Sequence, residues 1–275
     1  MTTAQKVIKY LAISFAVFLI VTIISSILNV LYGLSSVLGL KKDNNKIISE
    51  DMSITKFENN DIATLEVDVI GTNLMIKKGD FLRAETNNSN ISCKQNNQNL
   101  QIKEKNHNWF SNNENSSLIV YIPENLEFEK IKINAGAGKI NIENLTAKNL
   151  SFELGAGETE IQKLNVSKKC NIDGGAGKVN ILSGTINNLD LNMGVGEVNL
   201  KAKIIGKSDI DAGVGNLNMK LQDNKESYKI KTDKGIGSVR IDGKEISDNE
   251  IYGDGENYIE IDGGIGNITV NFKGE

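Results

Sequence analysis

The stretch Lys130–Gly184 reads KIKINAGAGKINIENLTAKNLSFELGAGETEIQKLNVSKKCNIDGGAGKVNILSG and decides the fold. Three glycine pairs, each enclosing one residue, recur in it at Gly136–Gly138, Gly155–Gly157 and Gly175–Gly177. The pattern continues downstream at Gly194–Gly196, Gly213–Gly215, Gly235–Gly237 and Gly264–Gly266. First glycines are separated by 19, 20, 19, 19, 22 and 29 residues. A fixed period of this size marks a repeat architecture, in which each unit buries its apolar face against its neighbours.

The enclosed residues are Ala137, Ala156, Ala176, Val195, Val214, Ile236 and Ile265. Four positions earlier stand Ile133, Phe152, Ile172, Leu191, Ile210, Thr232 and Ile261. Three positions later come Ile140, Thr159, Val179, Val198, Leu217, Val239 and Ile268, and five later Ile142, Ile161, Ile181, Leu200, Met219, Ile241 and Val270. Only Thr159 and Thr232 among these positions are not apolar. Alternation of this kind is the signature of a half-buried strand. Its phase shifts by one residue at the glycines, which supply backbone angles that other residues resist. Each unit is therefore a strand, a glycine corner, a strand and a turn. The expected fold is all-β, a β-solenoid-like stack of roughly 19–20-residue repeats preceded by one transmembrane helix. All four apolar columns, Val195 included, are expected to face inward. The fourteen glycines are expected to be structural corners, and seven coils should extend roughly 34 Å.

Further back, Leu65, Val67, Val69, Gly71, Leu74 and Ile76 fit the same frame as a diverged first coil. Residues 79–130 then read as hairpins inserted beside the stack, with strands near Phe81–Glu85, Ile91–Gln95, Leu100–Lys103 and Leu118–Ile122. The seven G-x-G repeats occupy 131–275, and the whole repeat domain 46–275. Terminal units are atypical, as caps on an open sheet edge should be.

Residues 1–45 form a separate N-terminal segment. Tyr10–Leu40 carries no charge over 31 residues, about 46 Å as a helix against a hydrocarbon core of about 30 Å. One transmembrane helix over about 8–30 is expected. The apolar core is longer than that of a cleaved signal peptide, and no A-x-A follows, so the segment reads as a signal anchor. Lys6 and Lys9 precede it; Lys41, Lys42 and Lys46 follow. This balance does not set the orientation by the positive-inside rule. Long domains translocate regardless of flanking charge, so the repeat domain is expected outside a single-pass cell membrane protein.

A net charge of −4 and a pI near 5.3 argue against a nucleic-acid partner. Two distant cysteines, Cys93 and Cys170, and a lone His107 do not make a zinc site. The glycine pairs lack the third glycine and following helix of a dinucleotide fingerprint. DGGAGK at Asp173–Lys178 and DGGIGN at Asp262–Asn267 suggest calcium-binding nonapeptides, but the period is about 19 rather than nine. Asp248, Glu250, Asp254 and Glu256 offer oxygens in an acidic loop (242–256) without the spacing of a calcium loop. No catalytic residue, metal or cofactor is expected, and the chain is expected not to be an enzyme. Outward columns lie three before the enclosed residue (Asn134, Glu153, Asp173, Asn192, Asp211, Asp233, Asp262) and four after it (Asn141, Glu160, Asn180, Asn199, Asn218, Arg240, Thr269). They read as a solvated β-face or as a strip for cations or glycans.

The run from Ser117 to Leu164, its strand end at Ile122–Pro123, the G-x-G units and YGDGENYIEIDGGIGNITV at Tyr252–Val270 together resemble the bacterial β-strand-repeat domain of unknown function labelled "putative adhesin", the toastrack domain. That family commonly has Asp after the second glycine, where this chain has Lys139, Glu158, Lys178, Glu197 and Asn216. The resemblance implies a membrane-linked domain of the cell envelope, frequent in Gram-positive bacteria and associated with envelope-stress or surface functions. The expected function is a protein-interaction, scaffold or envelope-stress sensing module with an unidentified protein partner. The alternatives are a surface adhesin for glycan or host material and, more remotely, a carbohydrate-active enzyme.

Overall fold

The computed structural model describes residues 52–57, 62–105, 116–248 and 250–273. The expected membrane span, its juxtamembrane segment and His107 lie outside them. Among the described residues, no helix is long and apolar enough to cross a membrane.

The alternating pattern becomes strand almost throughout. The first seven strands are β1 (Ser53–Lys56), β2 (Thr64–Val69), β3 (Asn73–Lys78), β4 (Arg83–Thr86), β5 (Ile91–Asn96), β6 (Asn99–Glu104) and β7 (Ser117–Ile122). Long strands that run through the glycine pairs follow: β8 (Phe128–Ile142), β9 (Leu145–Ile161) and β10 (Leu164–Ile181). After the short β11 (Gly184–Asn187) come β12 (Leu189–Ile205) and β13 (Lys207–Leu221). The C-terminal part holds β14 (Tyr228–Asp233), β15 (Ile236–Ile241), β16 (Lys244–Glu245), β17 (Ile251–Tyr252) and β18 (Asn257–Phe272).

The strands β8, β9, β10, β12 and β13 stack in parallel and in register, glycine on glycine and enclosed residue on enclosed residue. The close approach demands glycine. A Cβ on Gly196, whose φ is +145°, would lie 1.8 Å from the carbonyl oxygen of Gly177 one rung below. Short segments before each long strand, with β11 among them, pair into a third side.

The columns four before, three after and five after the enclosed residue are all buried, from Ile133 to Val270. They join one continuous core, in which Tyr228, Phe128 and Phe152 are the largest fully buried side chains. The enclosed column departs from the expected frame. Val195 is 39 % exposed, Ile265 37 % and Ile236 65 %. Inward alternation on the first strand ends two residues before, at Ala135, Met193 and Ala212, and resumes three after. The core does not close at the corner. The enclosed side chains border a narrow crevice of about 40 Å³ there, beside Met193 and Val198.

Residues 79–130 also differ from expectation, because they extend the stack rather than lying beside it. The β2–β3 pair forms the rung next to β8, and β6 and β7 lie parallel beneath it. Antiparallel β5 and β4 then close that end, with β1 on β4. The other end repeats the device. The last strand, β18, pairs with β13 along one edge and with β14 and β15 along the other. The sixth G-x-G unit in sequence is therefore the outermost rung, and the seventh lies beneath it. Antiparallel β17 and β16 close the end.

Carboxylates finish both corners. Glu104, 7 % exposed, accepts the N–H groups of Ile70 (2.7 Å) and Gly71 (3.2 Å). Asn88 Nδ2 donates to its other oxygen at 3.1 Å. At the far end Asp248 accepts the N–H of Lys234 at 2.8 Å. Burial pushes the Glu104 carboxyl up, but hydrogen bonds from Ile70, Gly71, Thr72 and Asn88 together outweigh it, and the group sits below the ordinary 4.5.

Two outcomes follow. Leu191→Ala, at a fully packed position, should cost roughly 2–5 kcal/mol, while Val195→Asp should leave the melting temperature nearly unchanged; paired thermal melts decide it. For Glu104, the native fold favours the ionised form, so its stabilisation is present above about pH 4.5 and is lost as pH falls through the lowered native value. Glu104→Gln, which leaves one acceptor oxygen where Ile70, Gly71 and Asn88 donate to two, should cost about 1–3 kcal/mol at pH 7. Its deficit should shrink in acid, as a series of chemical denaturations across pH 3–7 would measure.

Candidate interaction surface

Strand register assembles the outward residues into columns that cross the whole stack. Three before the enclosed residue, the spatial order is Asp68, Asn134, Glu153, Asp173, Asn192, Asp211, Asp262 and Asp233. Over its first four rungs this column edges an open groove of about 470 Å³. The groove is lined by Ile70, Gly136, Gly155 and Gly175 together with Asp68 and Asp173. The glycine floor is bare because a Cβ on Gly155 would lie 1.9 Å from the Gly136 oxygen.

Charge is unevenly matched along this face. Lys132 pairs with Glu153 at 2.8 Å, Lys169 with Asp190 at 3.5 Å and Lys231 with Glu260 at 2.6 Å. Near the C-terminal end, Asp209, Asp211 and Asp262 bring carboxylate oxygens within 4.8 Å of one another. Partial burial and the charges of Asp211, Asp209, Glu260 and Asp233 hold the Asp262 carboxyl above its ordinary value. Among the described residues, this triad is the one cluster of three or more carboxylate, His or Cys groups close enough to share a cation. The sequence places Asp211 and Asp262 in one outward column and does not single out Asp209. Asp209 and Asp211 lie some fifty residues from Asp262 in sequence, and only the out-of-order stacking of β18 brings them together.

The second outward column is amide-rich and knitted together. Asn199 Nδ2 donates to Asn180 Oδ1 at 2.8 Å, and Asn218 Nδ2 to Asn199 Oδ1 at 3.0 Å. Beside it, Lys139 pairs with Glu158 at 3.6 Å and Lys178 with Glu197 at 3.4 Å. These residues stand where the resembling family commonly has Asp, so here adjacent rungs are joined by alternating charge.

The acidic loop does not gather around one point. Asp248 is engaged with the Lys234 N–H, and Glu250 accepts the N–H of Ser247 at 2.9 Å. Both cysteines are free. Cys170 is wholly buried, and burial pushes its thiol far up; partial burial also pushes the Cys93 thiol up. The fourteen paired glycines lie at the corners. The second glycine of each pair has φ between +119° (Gly138) and +150° (Gly237).

Asp262→Asn should raise the melting temperature at neutral pH. Its carboxyl is disfavoured in ionised form by the fold, so the gain should be present above the native value and disappear as pH falls below about 3.8, the ordinary Asp value. Melting curves of both proteins between pH 3 and 8 test the direction.

Comparison with known proteins identifies the chain at this point. The Toastrack DUF4097 family matches residues 51–262, and the chain belongs to that family. No functionally curated protein matches. Solved structures to which the chain is similar include a "putative adhesin" from Bacteroides fragilis at 18 % identity and a TM-score of 0.47, covering 81 % of this chain and 98 % of that one. A "putative cell adhesion protein" from Clostridium sporogenes is 18 % identical, TM-score 0.34, covering 81 % and 99 %. A "putative lipid binding protein" from Parabacteroides distasonis is 14 % identical, TM-score 0.37, covering 80 % and 97 %.

Proposed function

We propose that this toastrack protein is a non-enzymatic interaction module of the bacterial cell envelope, held to the membrane by a transmembrane helix over about 8–30 and displayed outside the cell. The observation that carries this reading is the rigid, in-register array of outward columns. The acidic column crosses eight rungs, and its side chains repeat at about the 4.8 Å interstrand spacing. Such an array suits a long partner surface rather than a small substrate. The groove beside it is open, and the ionisable side chains that line it are the carboxylates of Asp68, Glu153 and Asp173. Scaffolding and envelope-stress sensing are the roles this arrangement fits.

A surface adhesin is the second reading, favoured by the Asn180–Asn199–Asn218 ladder. Amide side chains carry both donors and an acceptor, as sugar hydroxyls require.

Photo-crosslinking in native membranes, with the reactive residue at Asn192 on the acidic column or at Asn218 on the amide column, tests both readings. A discrete protein adduct from position 192 supports the interaction module. Reproducible binding of the full chain to a glycan array, lost in Asn199→Asp, supports adhesion instead. Resistance of the repeat domain to protease on intact cells would overturn the outward placement.

A further inference from the structure

The C-terminal order of rungs holds two solutions to one packing problem. β18 lies between β13 and the β14–β15 rung, pairing in parallel with both. Everywhere from β8 to β13, however, consecutive G-x-G units stack directly on one another. The β14–β15 unit carries the same corner and the same inward columns as β18. Thr232, Val239 and Ile241 answer Ile261, Ile268 and Val270. It could therefore sit directly on β13, and its Lys231, now paired with Glu260, would then face Asp209.

Two details explain why β18 holds the inner place once it arrives. Its inward side chains Ile259, Ile261, Ile268, Val270 and Phe272 are all apolar and buried. At the position of Ile261 the β14–β15 unit carries Thr232, so its inward face is the less apolar of the two. The connector also fits the exchange. Residues 143–144 join β8 to β9 and 162–163 join β9 to β10, but 222–227 separate β13 from β14. The directly stacked β10 and β12 are themselves separated by 182–188, which hold β11, so a connector of about this length serves either neighbour.

We infer that β14–β15 and β18 compete for the exposed edge of β13. The sixth unit stacks there first, and β18 displaces it outward to latch the stack. The C-terminal strand is thus an exchangeable latch. In the latched state the sixth unit is the outer rung; in the unlatched state it closes the β13 edge itself and β18 is released.

Cysteine pairs report which unit touches β13. Asn216 and Asn267 are Cα partners in adjacent strands, as are Asn267 and Ser238. Asn216 and Ser238 are therefore two rungs apart, about 9.6 Å at the usual spacing, beyond the reach of a disulfide at about 7 Å between Cα atoms. In the full chain with Cys93→Ser, Asn216→Cys/Asn267→Cys should oxidise readily in the folded protein. Asn216→Cys/Ser238→Cys should stay reduced when folded, yet form a transient disulfide under pulsed oxidation during refolding. Adding Gly264→Val, whose side chain meets the Gly213 oxygen at 1.8 Å from Cβ, should make the 216–238 disulfide the main product at equilibrium. Refolding without any 216–238 disulfide, at every pulse time, would overturn the latch. A folded Gly264→Val protein that protects Cys170 from alkylation but never crosslinks 216 to 238 would do the same.

Discussion

A carbonyl oxygen lying where a side chain would have to be is the contact on which this stack depends. At every corner after the first, a glycine oxygen of one rung lies about 2 Å from the place a Cβ would take on the next. Glycine alone permits the approach, and glycine alone readily holds the positive φ of the second corner position. Strand pairing is thereby pinned at the bend, where a slip would otherwise be easiest. With register fixed there, every residue type falls into a column. The same alternation that places Ile and Val in the core places Asn, Asp and paired Lys–Glu outside.

A parallel stack has no natural end, because each rung leaves a full edge of peptide groups. This protein uses one solution twice. Antiparallel strands, β4 and β5 at one end and β16 and β17 at the other, change the strand direction and stop further growth in parallel. Where these strands leave the corner uncovered, a carboxylate takes the place of the missing rung: Glu104 for Ile70 and Gly71, Asp248 for Lys234. Each carboxylate engages N–H groups, the stronger class of hydrogen bond for a charged acceptor.

The repeat, the strand class and three of four inward columns were legible in the sequence, because periodicity reports which face is buried. Leu191 and Ile172 needed nothing more than their spacing from a glycine. Val195 was not legible. Apolar character and position suggested burial, but a corner opens the core locally, and apolar residues stand in water often enough that type alone does not decide. The order of the last rungs was also hidden. Spacings of 22 and 29 residues signalled an irregular end without saying which unit lies outermost, since both match the same columns. The Asp209–Asp211–Asp262 cluster was missed for that reason. Function was least legible, because the regular residues specify the scaffold and the outward columns tolerate many polar side chains.

The register described for β8 to β13 has a consequence for how such genes change length. Because each rung pairs with the next in parallel and in register, an in-frame duplication of one 19-residue unit would lengthen the array by about 4.8 Å and leave both caps untouched. A one-residue insertion within a strand would instead turn that unit's apolar side chains to water. Variation in this architecture is therefore quantised: whole units can be gained or lost by recombination, while the phase within a unit is held nearly fixed.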